Sequence, residues 1–478
     1  MKARTIGGQV GDVNLMKTKR QKNQQEQLAL PMEITGEAHK AIGRGTEVFM
    51  VEQDSERPAG QAGQLMEEIC RPANVGEALK RVVANKGSAG IDGMTVKELP
   101  AALKEEWLII RAKLLEGTYR PQPVKRVEIP KPEGGVRQLG IPTVLDRFIQ
   151  QAVLQVLQRI WDPTFSGRSY GFRPGRSAHQ AIRKAQEYVA GGYRVVVDID
   201  LEKFFDRVNH DKLMGELAKR LEDKRCLKLI RAFLNAGIME NGLVSRREEG
   251  TPQGGPLSPL LSNIVLDELD RELERRGHLF VRYADDCNIY VRSRQAGERV
   301  MEGITHFIAK RLKLKVNTQK SAVGAPSTRK FLGFSFTAEE RPRRRVAKPA
   351  LKRFVERVRE LTSRTSGVSL QAMVERLSRY MKGWVEYFGI CETPTPLHAL
   401  DSWVHRRLRC VVWKQWKRGR TRYTELRKRG CKHWPAVVVA GSCKGPWRIS
   451  YGASLNTALP GAYFYGLGLP SLEASMKA

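Results

Sequence analysis

The chain has 478 residues, 41% of them apolar, so it can bury a core large enough for two or three domains. Lys and Arg outnumber Asp and Glu by 83 to 51, and the resulting net charge of +32 favours a polyanionic partner, nucleic acid first. No run approaches the roughly 18 apolar residues of a membrane-spanning helix and no apolar signal segment follows the N-terminus, so we expect a cytoplasmic protein without a membrane partner.

Composition divides the chain into an extension, a mixed region and a basic helical region. Residues 1–64 are rich in Gln, Lys, Gly and Glu and show no sustained period, which predicts a disordered basic extension. Apolar residues return with helical spacing from Leu65, until a glycine-rich loop at 85–93 interrupts them. Between 120 and 340, short apolar strands alternate with amphipathic helices, which indicates a mixed α/β or α+β fold. Beyond Arg341 the sequence is mainly helical and basic, so a domain boundary is expected there.

One apolar strand, at 195–197, runs directly into acidic residues. In YRVVVDIDLEKFFDRVNHD, the strand period of two places Asp198 and Asp200 on one face. A carboxylate at the end of a buried strand is costly unless it is paired, protonated or bound to a metal. A solvated strand end would need no such partner, so this segment alone leaves both interpretations open.

A second run, LFVRYADDCNIYVRS, predicts a β-hairpin whose strands, 279–283 and 287–291, meet at Ala284, Asp285 and Asp286. Asp is ordinary in turns, and a lone pair of acids is usually structural. Here both strands are apolar enough to be buried, which would place the two carboxylates in a cleft that faces Asp200. Three carboxylates form an oxygen-only site suited to two Mg²⁺ ions, with Mn²⁺ as an alternative. Such ions can activate a 3′-hydroxyl and stabilise leaving pyrophosphate, which is the chemistry of nucleotide addition.

The run EEGTPQGGPLSPLLSNIVLDELDRELERRG predicts a Gly- and Pro-rich loop followed by a helix. Ser258 is expected to cap this helix with Pro259 at its first position, and Gly277 to end it. The loop lacks bulk, as expected where a nucleobase lies against protein, and Gln253 could contact the base pair through its amide. A simple loop before a helix is the alternative.

The run VEIPKPEGGVRQLGIPTVLDR predicts a hairpin that turns at 133–135, then a helix capped by Thr143 with Asp146 three residues on. Lys131 and Arg137 lie on opposite arms of that turn, where they could bind a triphosphate or be ordinary surface charges.

A basic segment, FRPGRSAHQ, places Arg173 and Arg176 just before a helix whose predicted capping box is Ser177 with Gln180. Backbone N–H groups at the start of a helix attract anions, so this segment is a candidate phosphate site.

Taken in order, these segments closely resemble the reverse transcriptase-maturases encoded by bacterial group II introns. The matching runs, within residues 65–478, are EIPKPEGGVRQLGIPTVLDR, SYGFRPGRSAHQAI, VVVDIDLEKFFDRVNHD, EEGTPQGGPLSPLLSNIVLDELD, RYADDCNIYV, LKLKVNTQKSAV and FLGFSF. Seven motifs in one order make the likeness specific. It is greatest to the compact type associated with class C introns, which lacks the zinc-bearing H-N-H endonuclease domain of many relatives.

The resemblance implies an α+β right-hand polymerase of fingers and palm, followed by a helical thumb/maturase domain and a small C-terminal DNA-binding region. The expected divisions are 1–64 for the extension, 65–120 for the N-terminal extension of the reverse transcriptase, 121–340 for fingers and palm, 341–435 for the thumb/maturase domain and 436–478 for the DNA-binding region.

The resemblance also implies roles for individual residues of the polymerase. Asp200 rather than Asp198 is the implied first metal ligand, because in this family a steric-gate aromatic follows the catalytic Asp by five positions, where Phe205 stands. Phe205 would then exclude a ribose 2′-hydroxyl. The implied catalytic residues are Asp200, Asp285, Asp286 and, as the acid that protonates pyrophosphate, Lys320; the implied dNTP contacts are Lys131, Arg137, Phe205 and Gln253.

Further implied contacts involve nucleic acid. The segment 331–334, which contains Gly333, matches the family's primer grip, and the 85–93 loop resembles one that touches template. In WVHRRLRCVVWKQWKRGR, tryptophans interleave with cations; we expect a core position for at least Trp403 and phosphate contacts for the cations. The predicted nucleic-acid-binding residues are Arg173, Arg176, Gly333, Arg406, Arg407, Arg409, Lys414 and Lys417.

The implied function is an RNA-directed DNA polymerase that copies intron RNA into DNA for retrohoming and assists splicing. Its expected partners are group II intron RNA, an RNA template with a DNA primer, target DNA and dNTPs. Two alternatives are an RNA-binding splicing factor with a vestigial polymerase and an RNA-dependent RNA polymerase. Intact acids at 200, 285 and 286 argue against the splicing factor with a vestigial polymerase. Phe205 distinguishes a DNA polymerase from an RNA polymerase, because it would exclude the ribose 2′-hydroxyl.

Overall fold

The computed structural model describes residues 64–130, 136–240, 243–245, 249–251 and 254–476, and the statements below concern those residues. The predicted disordered extension therefore lies outside the described residues, except for its last residue. Three helices open the described chain: α1 (Leu65–Ile69), α2 (Pro72–Ala84) and α3 (Leu99–Leu115). The helical spacing that begins at Leu65 is thus confirmed, and the glycine-rich loop separates α2 from α3.

A first four-stranded sheet has the order β2-β1-β4-β5. Its strands are β1 (Val124–Pro130), β2 (Val136–Ile141), β4 (Ile238–Glu240) and β5 (Leu243–Ser245). The predicted hairpin is present, because β1 and β2 pair antiparallel from Lys125 opposite Ile141 to Pro130 opposite Val136.

A second four-stranded sheet has the order β6-β7-β3-β8 and is antiparallel throughout. Its strands are β3 (Val195–Ile199), β6 (Leu279–Tyr283), β7 (Asp286–Val291) and β8 (Ala322–Gly324). The neighbours of β3 come from segments roughly a hundred residues away, which local patterning does not reveal.

The second sheet lies between two hydrophobic cores. Because side chains alternate along a strand, Val197 and Ile199 of β3 face the core shared with the N-terminal helices, whereas Val196 faces the core shared with the C-terminal helices. On β7, Ile289 faces the core shared with the N-terminal helices, and Tyr290 faces the core shared with the C-terminal helices. Both faces of the sheet are therefore buried.

Helices of the mixed region surround these sheets. They are α4 (Val144–Trp161), α5 (Ala178–Ala190), α6 (Phe204–Arg207), α7 (His210–Ala218), α8 (Lys224–Asn235), α9 (Ser258–Arg275) and α10 (Arg294–Phe307), with a 3-10 turn at Asp162–Thr164 and a π-helical turn at Ile308–Leu312. Thr143 caps α4, and the capping box of Ser177 with Gln180 begins α5, as predicted. The Ser258 cap is wrong by one position: Leu257 is the N-cap and Ser258 is already helical.

The C-terminal region is helical, but it begins later than predicted. After Arg341 the chain forms one more strand, β10 (Arg344–Val346), which pairs with β9 (Phe334–Phe336). The helices that follow are α11 (Lys348–Leu361), α12 (Leu370–Phe388), α13 (Pro394–Gln415), α14 (Gly419–Lys428), α15 (His433–Ala440), α16 (Pro446–Ile449), α17 (Ala453–Ala458) and α18 (Gly461–Gly466). Among the described helices, none is both long and apolar enough to cross a membrane.

Candidate active site

A two-residue turn carries the predicted acidic pair. Tyr283 and Asp286 pair across the β6–β7 hairpin, so Ala284 and Asp285 form its tip, and Ala284 adopts a left-handed conformation with φ of 57°. Both strands are largely buried, as the sequence predicted. Asp285 and Asp286 are half-buried at the edge of the sheet.

The strand register places Asp200 beside this turn. Ile199 of β3 lies opposite Cys287 of β7, so the next positions along the two antiparallel chains are Asp200 and Asp286. Side chains alternate between faces, and Asp198, Asp200 and Asp286 share the face that points to the C-terminal core. The strand ends that carry the three acids therefore lie side by side in the fold, and the metal-binding role of the acids stays a prediction.

The carboxylates of this cluster affect one another. Burial, followed by the negative charges of Asp285, Asp198 and Asp200, raises the pKa of Asp286 to about 8. In the described residues, no three acidic, His or Cys side chains already converge as a metal-binding set. Mutual repulsion of clustered carboxylates is what a bound divalent cation relieves, and oxygen donors are what Mg²⁺ prefers, so the donor set fits the predicted Mg²⁺.

Asp198 has a partner of its own. Its Oδ2 accepts hydrogen bonds from Nε and Nη2 of Arg329, at 3.0 and 2.5 Å. Burial raises the pKa of Asp198, and the guanidinium of Arg329 acts in the opposite direction. This ion pair distinguishes Asp198 from Asp200.

The backbone of Asp200 is held by the segment 317–321. The Asp200 N–H donates to Oγ of Ser321 at 2.9 Å, and the carbonyl of Asp200 accepts from the N–H of Asn317 at 2.8 Å. Lys320, whose side chain is exposed, belongs to this segment, and its carbonyl accepts from Arg329 at 2.6 Å. Lys320 thus lies one residue from a direct contact of Asp200.

Phe205 contacts the segment that leads to Gln253. The carbonyl of Phe205 accepts from the N–H of Thr251 at 2.6 Å, and a side chain at Gly250 would come within 2.8 Å of the same carbonyl. Gly250 has φ of 89°, which a side chain would strain. Beyond Gln253, a Cβ at Gly254 would approach the carbonyl of Gly140 in β2 to 2.8 Å.

The described residues on either side of Gln253 are therefore close to two elements: Thr251 is hydrogen-bonded to Phe205, and Gly254 lies against Gly140 of β2, the strand of Arg137. Lys131 and Gln253 themselves lie outside the described residues, as does the side chain of Arg137. The predicted contacts of these three side chains stay predictions.

The predicted phosphate site before α5 is divided between a buried and a more exposed cation. Arg173 is 5% exposed, and its guanidinium binds Oδ1 of Asp162 at 2.8 Å and the carbonyls of Ser166 and Ser169 at 2.7 and 3.0 Å. Its donors face inward, so its position is that of a structural residue of the loop, in contrast to the phosphate contact that the sequence predicted. Arg176 is half-buried over the ring of Tyr170 and keeps the predicted location.

Gly333 lies in a tight turn against the C-terminal helices. Phe331 and Phe334 exchange backbone hydrogen bonds of 2.8 and 2.9 Å, so Leu332 and Gly333 form a two-residue turn, with φ of 50° and 81°. A Cβ at Gly333 would lie 3.1 Å from the ring of Phe388 in α12. Glycine is needed here for both its conformation and its size.

The five predicted cations of the thumb/maturase region have different surroundings. Arg406 stacks on Trp447, with Cζ 3.9 Å from the ring centroid. Arg407 donates to Oγ1 and the carbonyl of Thr362, each at 3.0 Å, Arg409 donates to a carbonyl at 2.9 Å, and burial lowers the pKa of both. Lys414 and Lys417 are exposed.

The tryptophans of this region are enclosed to different degrees. Trp413 and Trp416 are 1% and 8% exposed and belong to the core, whereas Trp403 is partly buried and packs against that core beside Arg359 and Arg407. The helical face of α13 decides which tryptophan is enclosed, and spacing alone did not fix that face.

Two arginines near the acidic cluster were missed by sequence analysis. Arg329 binds Asp198, and Arg282, two residues before the tip of the hairpin, is fully buried. A charged residue in an otherwise apolar strand was the available signal for Arg282, because a buried charge requires a partner. Its partner in α9 is not apparent from local sequence.

Comparison with known protein families gives two matches. A family model described as reverse transcriptase (RNA-dependent DNA polymerase) matches residues 129–336, and one described as group II intron, maturase-specific domain matches residues 351–430. The first contains the last two residues of β1, all of β2 and the whole acidic cluster. The second contains α12, α13, α14 and most of α11.

Comparison with curated proteins gives relatives that match over different lengths. The chain is 35% identical to protein YkfC of Escherichia coli over 306 residues, 56% of this chain and 80% of YkfC. It is 39% identical to the group II intron-encoded protein LtrA of Lactococcus lactis over 209 residues, 44% of this chain and 35% of LtrA. It is 27% identical to the putative COX1/OXI3 intron 2 protein of Saccharomyces cerevisiae over 418 residues, 72% of this chain and 47% of that protein.

Proposed function

Because the chain belongs to the group II intron reverse transcriptase/maturase family, we propose that it copies intron RNA into DNA during retrohoming and assists the splicing of its intron. The reverse transcriptase domain makes it an RNA-dependent DNA polymerase. The observation that carries the assignment of the site is the strand register, which brings Asp200 to the same face of the sheet as Asp286, beside the two-residue turn that holds Asp285.

In the proposed mechanism, Asp200, Asp285 and Asp286 hold two Mg²⁺ ions, for which Mn²⁺ can substitute. The bound ions supply Lewis-acid stabilisation of the attacking and leaving oxygens. The protein's part is to fix the three carboxylates at the end of a buried sheet, so that ions held there would lie where the primer 3′-hydroxyl meets the α-phosphate of the incoming nucleotide. Lys320, which belongs to the segment that holds Asp200, donates a proton to the departing pyrophosphate.

Selection of dNTP is assigned to the surfaces around Phe205. We propose that the ring of Phe205 excludes a ribose 2′-hydroxyl, and that Lys131 and Arg137 bind the triphosphate while Gln253 contacts the nascent base pair. The contacts of Gly250, Thr251 and Gly254 support this, since the described residues on either side of Gln253 lie against Phe205 and against Gly140 of the β1–β2 hairpin.

Nucleic-acid binding is assigned to three surfaces. The Leu332–Gly333 turn contacts the primer, Arg176 contacts backbone phosphate, and the basic C-terminal region contacts intron RNA and target DNA. Exposed Lys414 and Lys417 are the phosphate contacts that the geometry supports best, while Arg406, Arg407 and Arg409 shape the surface around them. Trp434 and Tyr451, 73% and 74% exposed, lie in the proposed DNA-binding region.

The domain divisions of the sequence analysis are part of the proposal, with the thumb/maturase helices beginning at Lys348 rather than 341. Membership of the compact type associated with class C introns, and action in the cytoplasm, are likewise proposed from family likeness. YkfC is a bacterial relative, and the chain covers 80% of it.

The test is primer extension on an RNA template with dNTPs and Mg²⁺. Wild type is compared with an Asp285→Ala/Asp286→Ala double variant whose unfolding midpoint and intron RNA affinity match those of wild type. Only the wild type should make cDNA, because the variant lacks two proposed metal ligands. If neither protein makes cDNA while both bind intron RNA and promote its splicing, the protein is a splicing factor and the polymerase assignment fails.

A further inference from the structure

A buried arginine lies directly behind the acidic turn. Arg282 of β6 is fully buried, and Asp270 of α9 is fully buried with it. The two side chains form a bidentate pair, in which Nε binds Oδ1 at 2.7 Å and Nη2 binds Oδ2 at 2.6 Å. Planar, two-point pairing of this kind fixes the guanidinium in orientation as well as in position.

The remaining donors of Arg282 are also used. Nη1 donates to Oδ1 of Asn263 at 3.0 Å and to the carbonyl of Ala284 at 2.9 Å, and Nη2 donates to Oγ of Ser169 at 2.8 Å. With the two bonds to Asp270, all five guanidinium N–H groups have acceptors. One of these acceptors, the Ala284 carbonyl, belongs to the turn itself.

The bond to Ala284 acts on the peptide that leads into Asp285. Ala284 has a positive φ, which a residue with a side chain keeps only where its surroundings enforce it. Arg282 holds its carbonyl, and a Cβ at Gly171 would lie 2.2 Å from the Ala284 nitrogen, so the turn is enclosed from a second direction. Gly171 is itself held, because its carbonyl accepts from Asn263 at 2.9 Å.

We propose that Arg282 is a positioning residue for nucleotide addition, because its buried guanidinium, oriented by Asp270, sets the Ala284–Asp285 peptide and thereby the placement of the Asp285 and Asp286 carboxylates. The proposal rests on the proposed function of those carboxylates. It goes beyond fold stability, because replacing both members of a buried ion pair by apolar residues of similar size is often neutral or stabilising. Stability alone therefore does not require this pair.

Two variants separate positioning from stability. Arg282→Lys keeps a cation for Asp270 but removes the fork that also reaches the Ala284 carbonyl, and Arg282→Met with Asp270→Leu removes both charges. Ser169→Ala is the matched control, because it removes one hydrogen bond from the same guanidinium without touching the turn. Each protein is measured for unfolding midpoint, primer-extension kcat, KM for dNTP, half-saturating Mg²⁺, and Mn²⁺ affinity by electron paramagnetic resonance on the protein alone.

We expect both Arg282 variants to fold and to lose kcat by about tenfold to a hundredfold, because small displacements of reacting groups have effects of this size. Mn²⁺ affinity should fall and half-saturating Mg²⁺ should rise, with KM for dNTP within about threefold of wild type and Ser169→Ala close to wild type on every measure. Unchanged kcat and Mn²⁺ affinity in folded Arg282 variants would overturn the proposal. Failure of both variants to fold would also overturn it, since the pair would then be required by the whole domain.

The experiment distinguishes this proposal from the proposed function. If wild type makes no cDNA, the polymerase assignment fails, whereas the Mn²⁺ affinities still report whether Arg282 positions the carboxylates. If wild type is active and the Arg282 variants match it, only the positioning role fails.

Discussion

Basic residues are used differently in the sheet-containing region and in the C-terminal helical region. Around the sheets, Arg173, Arg282 and Arg329 point inward and bind carboxylates and carbonyls. In residues 402–472, fourteen Lys and Arg accompany a single acidic residue, Glu425, and Lys414 and Lys417 are exposed. Net charge counts all of these side chains equally, but only the exposed ones, such as Lys414 and Lys417, add strongly to an electrostatic surface for a polyanion.

Two acidic residues of the sheet-containing region also differ in use: Asp198 binds Arg329, whereas Asp200 is a proposed metal ligand. Asp200→Asn should reduce primer extension by about a thousandfold or more, because a metal ligand is lost. Asp198→Asn should instead weaken the bond to Arg329 and lower the free energy of unfolding by about 1–3 kcal/mol. Primer-extension rates and chemical denaturation of both variants test this. Equal loss of rate with unchanged stability in both variants would remove the distinction between the two acids.

The inward arginines give the second prediction. Arg173→Met should lower the free energy of unfolding by about 3 kcal/mol, because it leaves the Asp162 carboxylate and three backbone carbonyls without their partner. RNA affinity of the folded variant should be unchanged. Arg176→Met is the matched control, for which we expect a stability change within about 0.5 kcal/mol and weaker RNA binding. Chemical denaturation measures the stability of both variants, and filter binding measures their RNA affinity. A loss of RNA affinity in folded Arg173→Met would support the phosphate contact that the sequence predicted for Arg173.

Phe205 gives a third prediction, which concerns selectivity rather than charge. Phe205→Ala should raise NTP incorporation relative to dNTP by about tenfold to a hundredfold, because it opens space for the 2′-hydroxyl. The ratio of kcat/KM for dNTP and NTP measures this, with Phe205→Tyr as a control that keeps the ring. An unchanged ratio in Phe205→Ala would remove the steric-gate assignment.

The exposed lysines give the smallest expected effect. Replacing both Lys414 and Lys417 by Ala should reduce the slope of log Kd for intron RNA against log salt concentration by about 1–2, because two phosphate contacts are lost. The unfolding midpoint should not change. Lys219→Ala with Arg275→Ala is charge-matched and removes cations paired with Glu216 and Glu272. The same reduction in both double variants would show that net charge alone sets RNA affinity.

Local features were the most predictable from sequence. The hairpin at 279–291 was predicted because two apolar strands flank a turn, and the caps at Thr143 and Ser177 because each depends on residues three positions apart. The predicted N-cap of α9 was wrong by one residue because the chain already turns at Gly255–Ser258. There the Ser258 N–H donates to the Gly255 carbonyl at 3.3 Å.

Features that depend on distant segments were not predictable. Burial of Arg173 requires Asp162 and the 166–169 loop, and the partner of Arg282 lies in a helix that local spacing does not orient toward it. The pairing of β8 with β3 joins segments more than 120 residues apart. The acidic cluster could be predicted only because each acid belongs to a recognisable local element.

The turn at Leu332 and Gly333 limits how the protein can be divided. The Leu332 carbonyl accepts from the hydroxyl of Tyr387 at 2.8 Å, and the Gly333 carbonyl accepts from the N–H of Ala347 at 2.9 Å. A fragment that ended near residue 340 would leave both carbonyls without these donors and would uncover Phe334, which packs on Phe388. The sheet-containing region and the helices are therefore packed together at this turn, and a cut near residue 340 would remove contacts from both.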